Sequence, residues 1–550
     1  MRRTEIPRAA IRAAALLCAL WLGGALADRV AAQSNGSSFT DRDRLIEVLG
    51  EARRGPTAPC AGLRAQSDLE TTIVAAQPLT GPGTGASLCQ VHGVIVPEVQ
   101  FLLELPSQWN GRLYVLGNFG YGGESLTGDY GRAERERAHA LGFATVFTNL
   151  GHDQNVMPGA TWARQNLARR IDFGLRGLHV TTEAAKRFAK LYYGEPPRRS
   201  YFDGCSTGGG QGLKAAQRFP ADYDGIVAGA PVYDFVRLQL YGWNNQMAIA
   251  RAPLSQDKVA LLAKVILEKF DNVDGVRDGV IGDPAAIDFI PTRDLPHASG
   301  GRAGFTDLEL EALTRIYRGT VLDGKELAPG LPVGAEPAGQ TYLGYGTEPG
   351  PLSSGWTDRL IANSAGYVPQ RDLIETWLKY LAFDNDDPQM TLEQFDPRRD
   401  LPRLSTTTTQ ILDATDADLS AFRAGGGKLL VYHGWADTGV NPRLTTDYFN
   451  RVNQGMGTSK DFFRLFMVPG MFHCRGGVNV DRFDALTSVV RWVEKGEAPE
   501  QLTAARVENG KSVRTRPLCS YPSVARYVGR GSTDDITAFR CTDPPGRAHP

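Results

Sequence analysis

The stretch YFDGCSTGGGQGLKAAQRFP, residues Tyr201–Pro220, decides the fold. At its centre Gly204-Cys205-Ser206-Thr207-Gly208 forms a G-x-S-x-G pentapeptide. The run RSYFDG before it reads as a strand, and GGQGLKAAQRFP after it reads as a helix. A strand entering a helix through so sharp a turn raises a serine hydroxyl to the top of a sheet. Gly204 and Gly208 keep Cβ atoms out of the turn, and the helix N-terminus offers a favourable field to an oxyanion. A phosphate-binding loop is excluded because no Gly-Lys-Ser/Thr follows.

On either side, strand-like and helix-like runs alternate. GRLYVLGN (111–118), GFATVFTNL (142–150), YDGIVAGAP (223–231), GKLLVYHGWAD (427–437) and DFFRLFMVPG (461–470) have the apolar character of buried strands. LHVTTEAAKRFAKLYYG (178–194) and DALTSVVRWVEKG (484–496) have helical spacing, each stopped by a glycine. This alternation predicts an α/β protein with a mostly parallel sheet. Residues 233–404 interrupt it: they are rich in Gly, Pro and Asp, with scattered aromatics Trp243, Tyr342, Tyr345, Trp356, Trp377, Tyr380 and Phe383. The reading is an α/β-hydrolase fold built from 33–232 and 405–550, with 233–404 inserted as a lid domain above the site.

A serine nucleophile needs a base, and the base needs an orienting carboxylate. In α/β-hydrolases the chain order is Ser, then Asp or Glu, then His. VYHGWADTGVNP places Asp437 just after one strand, and MVPGMFHCRGG places His473 after the next. The chain has only eight histidines, so few compete. His433 precedes the acid at a strand end and is read as a supporting residue; His152 is the other competitor.

The bulk numbers agree with an exported enzyme. The 550 residues carry a formal net charge of -1, which gives no reason to expect nucleic acid as a partner. Arg2, Arg3, Arg8 and Arg12 precede an apolar run from Ala13 to Ala27 that falls short of the roughly 20 residues a membrane span needs. Residues 1–32 read as a signal peptide cleaved near 27 or 32, leaving no membrane span and a secreted or periplasmic protein. Residues 28–41 are polar and expected to be disordered. Of seven cysteines, Cys18 lies in the apolar run and six remain: Cys60, Cys89, Cys205, Cys474, Cys519 and Cys541. Three disulfides are expected, with fifteen connectivities open. If Cys60 pairs with Cys89 and Cys519 with Cys541, each local in sequence, Cys205 is left for Cys474.

GCSTGG, HGWAD and FHC together resemble the tannase/feruloyl esterase family of secreted α/β-hydrolases, and the resemblance runs over nearly the whole mature chain. The block from Asp172 to Pro231 looks like the family's most characteristic segment, and TNLGHD (148–153) like its upstream motif. The resemblance implies a Ser206–Asp437–His473 triad and a Cys205–Cys474 disulfide tying its loops together. It implies a serine esterase acting on small aromatic-acid esters, feruloyl, hydroxycinnamoyl or galloyl. Mono(2-hydroxyethyl) terephthalate-like monoesters are the alternative. A secreted peptidase or amidase, and a non-catalytic calcium-stabilised binding protein, are rivals of other classes. The lid aromatics are expected to enclose the acyl group, with no specificity residue named.

Thr207 and Gly120, the latter in the loop GNFGYGG (117–123), are expected to supply backbone N–H groups to the oxyanion. Phe119 stands where the family usually has glycine, and Gly210 where many members have arginine. In DNVDGVRDGVIGDP (271–284), Asp271, Asp274 and Asp278 with the carbonyls of Val276 and Val280 form an oxygen-rich loop that suits Ca²⁺. It is no EF-hand, because the twelfth position is Gly282. The resemblance implies a structural calcium there, although Phe270 replaces one of the cysteines that usually flank the loop.

Overall fold

The computed structural model describes residues 42–50, 53–80, 87–299, 303–341, 352–362 and 368–544. The signal segment, residues 28–41, Tyr342 and Tyr345 lie outside them. Nine strands form the main sheet: β1 (Thr71–Thr80), β2 (Ser87–Ile95), β3 (Val99–Pro106), β4 (Arg112–Leu116), β5 (Ala144–Thr148), β6 (Arg199–Cys205), β7 (Gly225–Gly229), β8 (Lys428–Gly434) and β9 (Phe463–Val468). They lie in the order β1-β2-β3-β5-β4-β6-β7-β8-β9.

The first three strands are an antiparallel meander, and β3 meets β5 antiparallel. From β5 through β9 every pairing is parallel. The parallel strands β4, β5, β7 and β9 are buried at every residue, as strands covered on both faces must be. That explains why they read as continuous apolar runs rather than alternating ones. Helices α1 (Gly177–Tyr193), α2 (Thr207–Arg218), α3 (Pro442–Met456) and α4 (Ala485–Lys495) follow strands of this sheet. The chain is an α/β-hydrolase.

Register brings the C-terminal ends of four strands to within two residues of level. Cys205 of β6 lies opposite Gly229 of β7, which lies opposite Tyr432 of β8, which lies opposite Phe466 of β9. The loops that leave β6, β8 and β9 therefore open on one edge, where open α/β sheets carry their sites.

Between β7 and β8 no strand among the described residues joins the sheet. The chain there folds into helices, among them Phe235–Arg251, Gln256–Phe270, Asp307–Arg318 and Pro369–Tyr380, and short two-stranded ribbons. Trp356, Trp377 and Phe383 are buried in the same apolar cluster as Val115 and Phe202 of the sheet, so these aromatics are packing residues. After α4, strands at Gln501–Glu508 and Lys511–Cys519 form an antiparallel ribbon that the sequence reading did not anticipate. Among the described residues, no helix is long and apolar enough to cross a membrane.

Candidate active site

Ser206 sits between β6 and α2 with φ 64 and ψ -121, a conformation that strains a residue with a Cβ. Its backbone is held there from both sides. The Ser206 N–H donates to Gly229 O at 3.0 Å, and its carbonyl accepts from Val232 N at 2.9 Å and Gly210 N at 3.1 Å. A Cβ on Gly204 would come within 2.8 Å of Gly208 Cα, and one on Gly208 within 2.9 Å of Asn118 O. The pentapeptide glycines are thus required by contact. Gly210 is as tightly placed, since a Cβ there would fall 1.8 Å from Val232 O. In this chain the position has no room for an arginine without backbone movement.

Asp437 follows β8 and is fully buried. Its Oδ2 accepts from His473 Nδ1 at 2.6 Å and from His433 Nε2 at 3.0 Å. Its Oδ1 accepts from the N–H groups of Gly439 at 2.7 Å and Val440 at 3.0 Å. Burial pushes this carboxyl up, but the two imidazoles outweigh it and hold Asp437 well below the usual carboxylate range. His433 also meets the Thr445 hydroxyl at 2.8 Å through Nδ1, so it braces the carboxylate from behind. With Nδ1 directed at Asp437, His473 leaves Nε2 for another partner. His152 stands apart from this cluster: it stacks on Trp162 with ring centroids 4.6 Å apart and meets Tyr121 O at 2.8 Å through Nε2.

The cysteines are joined as Cys60–Cys89, Cys205–Cys474 and Cys519–Cys541. Ser206 and His473 are each the chain neighbour of a half-cystine in the second bond, whose Cα atoms are 6.1 Å apart. Cys474 has φ 64, so both residues beside the chemistry are held in strained conformations.

The loop at 117–123 lies against α2. Thr207 Oγ1 donates to Gly120 O at 2.5 Å. The Phe119 N–H is taken by Glu124 Oε1 at 2.7 Å, and its ring packs on Tyr130 at 4.7 Å between centroids. Among the described residues, the amide N–H groups of Thr207 and Gly120 have no hydrogen-bond partner. Two unfilled donors beside a serine at a helix N-terminus can stabilise charge developing on a carbonyl oxygen.

A profile of the family described as tannase and feruloyl esterase matches residues 84–542. The chain belongs to this family. Its members are carboxylic ester hydrolases, and so is this protein. It is 34% identical over 518 residues to the mono(2-hydroxyethyl) terephthalate hydrolase of Piscinibacter sakaiensis, covering 83% of this chain and 85% of that one. It is 31% identical to a probable feruloyl esterase B-1 from Aspergillus flavus, over 81% of this chain and 83% of that one. The crystal structure of feruloyl esterase B from Aspergillus oryzae superposes with a TM-score of 0.75 at 25% identity, covering 88% of this chain and 99% of that one. A tannin acyl hydrolase from Aspergillus niger shares the fold, with a TM-score of 0.64 at 17% identity over 90% and 94% of the two chains.

The acidic loop lies after helix Gln256–Phe270. Asp271 accepts from the N–H groups of Gly279 at 2.9 Å and Val280 at 3.1 Å, and Asp274 from that of Val276 at 3.2 Å. Asp278 Oδ2 accepts from Arg516 at 2.5 Å, while its buried Oδ1 has no partner among the described residues. Burial, then the charges of Asp278 and Asp271, raise Asp274 to about 7 against the pull of the Val276 N–H. No set of three or more His, Cys, Asp or Glu side chains among the described residues is gathered at metal-holding spacing. Phe270, read as standing where a family cysteine usually flanks the loop, packs edge-on against Phe289 with centroids 6.2 Å apart.

Proposed function

We propose that this esterase cleaves aromatic-acid esters through an acyl-enzyme on Ser206. The observation that carries the reading is the buried Asp437–His473 pair, set beside a disulfide that joins the serine loop to the histidine loop. Ser206 Oγ attacks the ester carbonyl while His473 Nε2 takes its proton. The amides of Thr207 and Gly120 hold the oxyanion as the tetrahedral intermediate forms. His473 then protonates the departing alcohol, and water activated by the same imidazole releases the acid. Asp437 keeps the imidazole in the tautomer that leaves Nε2 free to accept, and it steadies the imidazolium. His433 helps keep that carboxylate ionised.

The aromatic acyl group is proposed from the relatives, whose names include a feruloyl esterase and a terephthalate monoester hydrolase. Export is proposed from the N-terminal apolar run together with three disulfides. The test is a substrate panel of methyl ferulate, methyl gallate, chlorogenate and mono(2-hydroxyethyl) terephthalate, run with wild type and Ser206→Ala. The reading requires turnover of at least one ester by wild type and loss of that turnover in the variant. Equal rates would sink it.

A structural Ca²⁺ in the 271–280 loop belongs to the same proposal. Its support is the orphaned buried Oδ1 of Asp278, beside an Asp274 that burial, and then the neighbouring carboxylates, leave raised. Asp271, Asp274, Asp278 and the carbonyls of Val276 and Val280 would hold it. The ion would neutralise crowded carboxylates and take no part in ester cleavage. Arg516 already balances one carboxylate, so the ion's effect is expected on thermal stability. Unchanged melting temperature on adding Ca²⁺ after EDTA treatment would contradict this.

A further inference from the structure

Glu124 is almost wholly buried at 2% exposure, and its two hydrogen-bond partners are neutral donors. Oε1 accepts the Phe119 N–H at 2.7 Å, and Oε2 accepts from Asn118 Nδ2 at 2.7 Å. Asn118 is itself fully buried and fully engaged. Its Nδ2 also donates to Thr148 O at 2.7 Å. Its N–H donates to Gln211 Oε1 at 2.9 Å, and its Oδ1 accepts from Gln211 Nε2 at 3.1 Å. Gln211 belongs to α2, the helix that starts immediately after Ser206.

A continuous chain of hydrogen bonds therefore runs from Glu124 through Asn118 to the nucleophile helix. A second link closes the ring, where Thr207 Oγ1 donates to Gly120 O. Thr207 and Gly120, whose amides are unfilled, are the two residues this second link joins. Packing alone does not call for a buried carboxylate there, because such a group costs free energy unless its acceptors are filled. Burial raises Glu124 to about 7, with the Phe119 N–H and the Asn118 amide pulling the other way. Once ionised, above about pH 7, glutamate brings what an apolar or amide side chain lacks: two acceptors on one rigid plane. One fixes the peptide between Asn118 and Phe119, so the next N–H in the turn is that of Gly120.

We propose that Glu124 is the positioning residue of the oxyanion loop, setting the Gly120 amide against the Thr207 amide through Asn118 and Gln211. This rests on the acyl-enzyme reading above. Glu124 touches no reacting atom; it acts through the backbone it holds.

The test is Glu124→Gln, which keeps the volume and turns one acceptor into a donor facing either the Phe119 N–H or the Asn118 amide. With methyl ferulate at about pH 8.5, where wild-type Glu124 is ionised, kcat is expected to fall about 10²-fold, the scale of losing one oxyanion donor. KM is expected to change by less than about threefold, because the donor acts on the transition state and not on bound ester. Affinity for an arylboronic acid, whose tetrahedral adduct mimics the intermediate, should fall in parallel with kcat. Affinity for ferulate should stay. Wild-type kcat in Glu124→Gln overturns the proposal, and so does a rise in KM with kcat kept. If that variant does not fold, Gln211→Glu is read the same way, since its carboxylate cannot donate to Asn118 Oδ1. Ser206→Ala runs alongside. Activity surviving in Ser206→Ala refutes the acyl-enzyme reading itself, whereas an inactive Ser206→Ala beside a fully active Glu124→Gln refutes only the role of Glu124.

Discussion

Replacing both Cys205 and Cys474 by serine removes the covalent tie between the nucleophile loop and the histidine loop. The bond closes a loop of 269 residues, and neither Cys60–Cys89 nor Cys519–Cys541 lies inside that loop to shorten it. In the chain-entropy description, a loop of this length restricts the unfolded state by about 5.6 kcal/mol at 25 °C. The unfolding entropy of a chain of this size is roughly 1 kcal/mol per kelvin, so the double variant should melt about 5 °C lower. Activity should fall further than stability predicts. Ser206 and Cys474 both hold strained backbone conformations that the bridge helps to enforce, and His473 is the neighbour of Cys474. A displacement near 1 Å between base and nucleophile costs on the order of 10²-fold in rate. The assay is calorimetry on wild type and the double variant, with kcat on methyl ferulate at a temperature where both are folded. A melting temperature within 1 °C of wild type together with unchanged kcat would refute the argument that this bond orders the site.

Asp437→Asn leaves an amide facing two imidazoles and favours the wrong tautomer of His473. We expect kcat to fall about 10³- to 10⁴-fold with the fold kept, and a loss under tenfold would contradict the role of Asp437. Stability should depend on pH through Glu124, which burial raises from its ordinary 4.5 to about 7. Between those values the folded state keeps a proton that the unfolded state has released, so the Glu124 contribution to wild-type stability falls as pH rises through that window. Glutamine does not titrate, so the stability of Glu124→Gln relative to wild type should rise by about 3 kcal/mol between about pH 4 and pH 8. A difference that is flat across denaturant titrations at those pH values would contradict this. Gly210→Ala should lower the melting temperature by about 1–3 °C, because its Cβ would lie 1.8 Å from Val232 O; an unchanged value would show that the segment yields freely.

The parts legible in the sequence were those that local chemistry forces. The turn around Ser206 is too tight for Cβ atoms, so its glycines appear as a motif. Asp437 and His473 follow mostly apolar strands, buried at every residue but Lys428, and the end of each apolar run marks where its loop begins. His433 was legible only as a supporting residue, since nothing in its spacing says that Nε2 meets Asp437. Long-range contacts left no such trace. Gln211 meets Asn118 across 93 residues and Arg516 meets Asp278 across 238, with no periodicity to signal either. Glu124 reads as one more acidic residue beside a glycine-rich loop until the fold buries it. The aromatics of the intervening segment were equally silent, because a tryptophan in a core and one in a pocket have the same letter. The structure sends Trp356 and Trp377 to the core.

The account stands on a covalent intermediate at one hydroxyl. Wild-type enzyme mixed with 4-nitrophenyl ferulate, quenched in acid on the millisecond scale and mapped by peptide mass spectrometry, tests it most directly. The account predicts a feruloyl group on Ser206, in a peptide still disulfide-linked through Cys205, and no such adduct in Ser206→Ala. Turnover without an adduct on Ser206, or an adduct on any other residue, would contradict it.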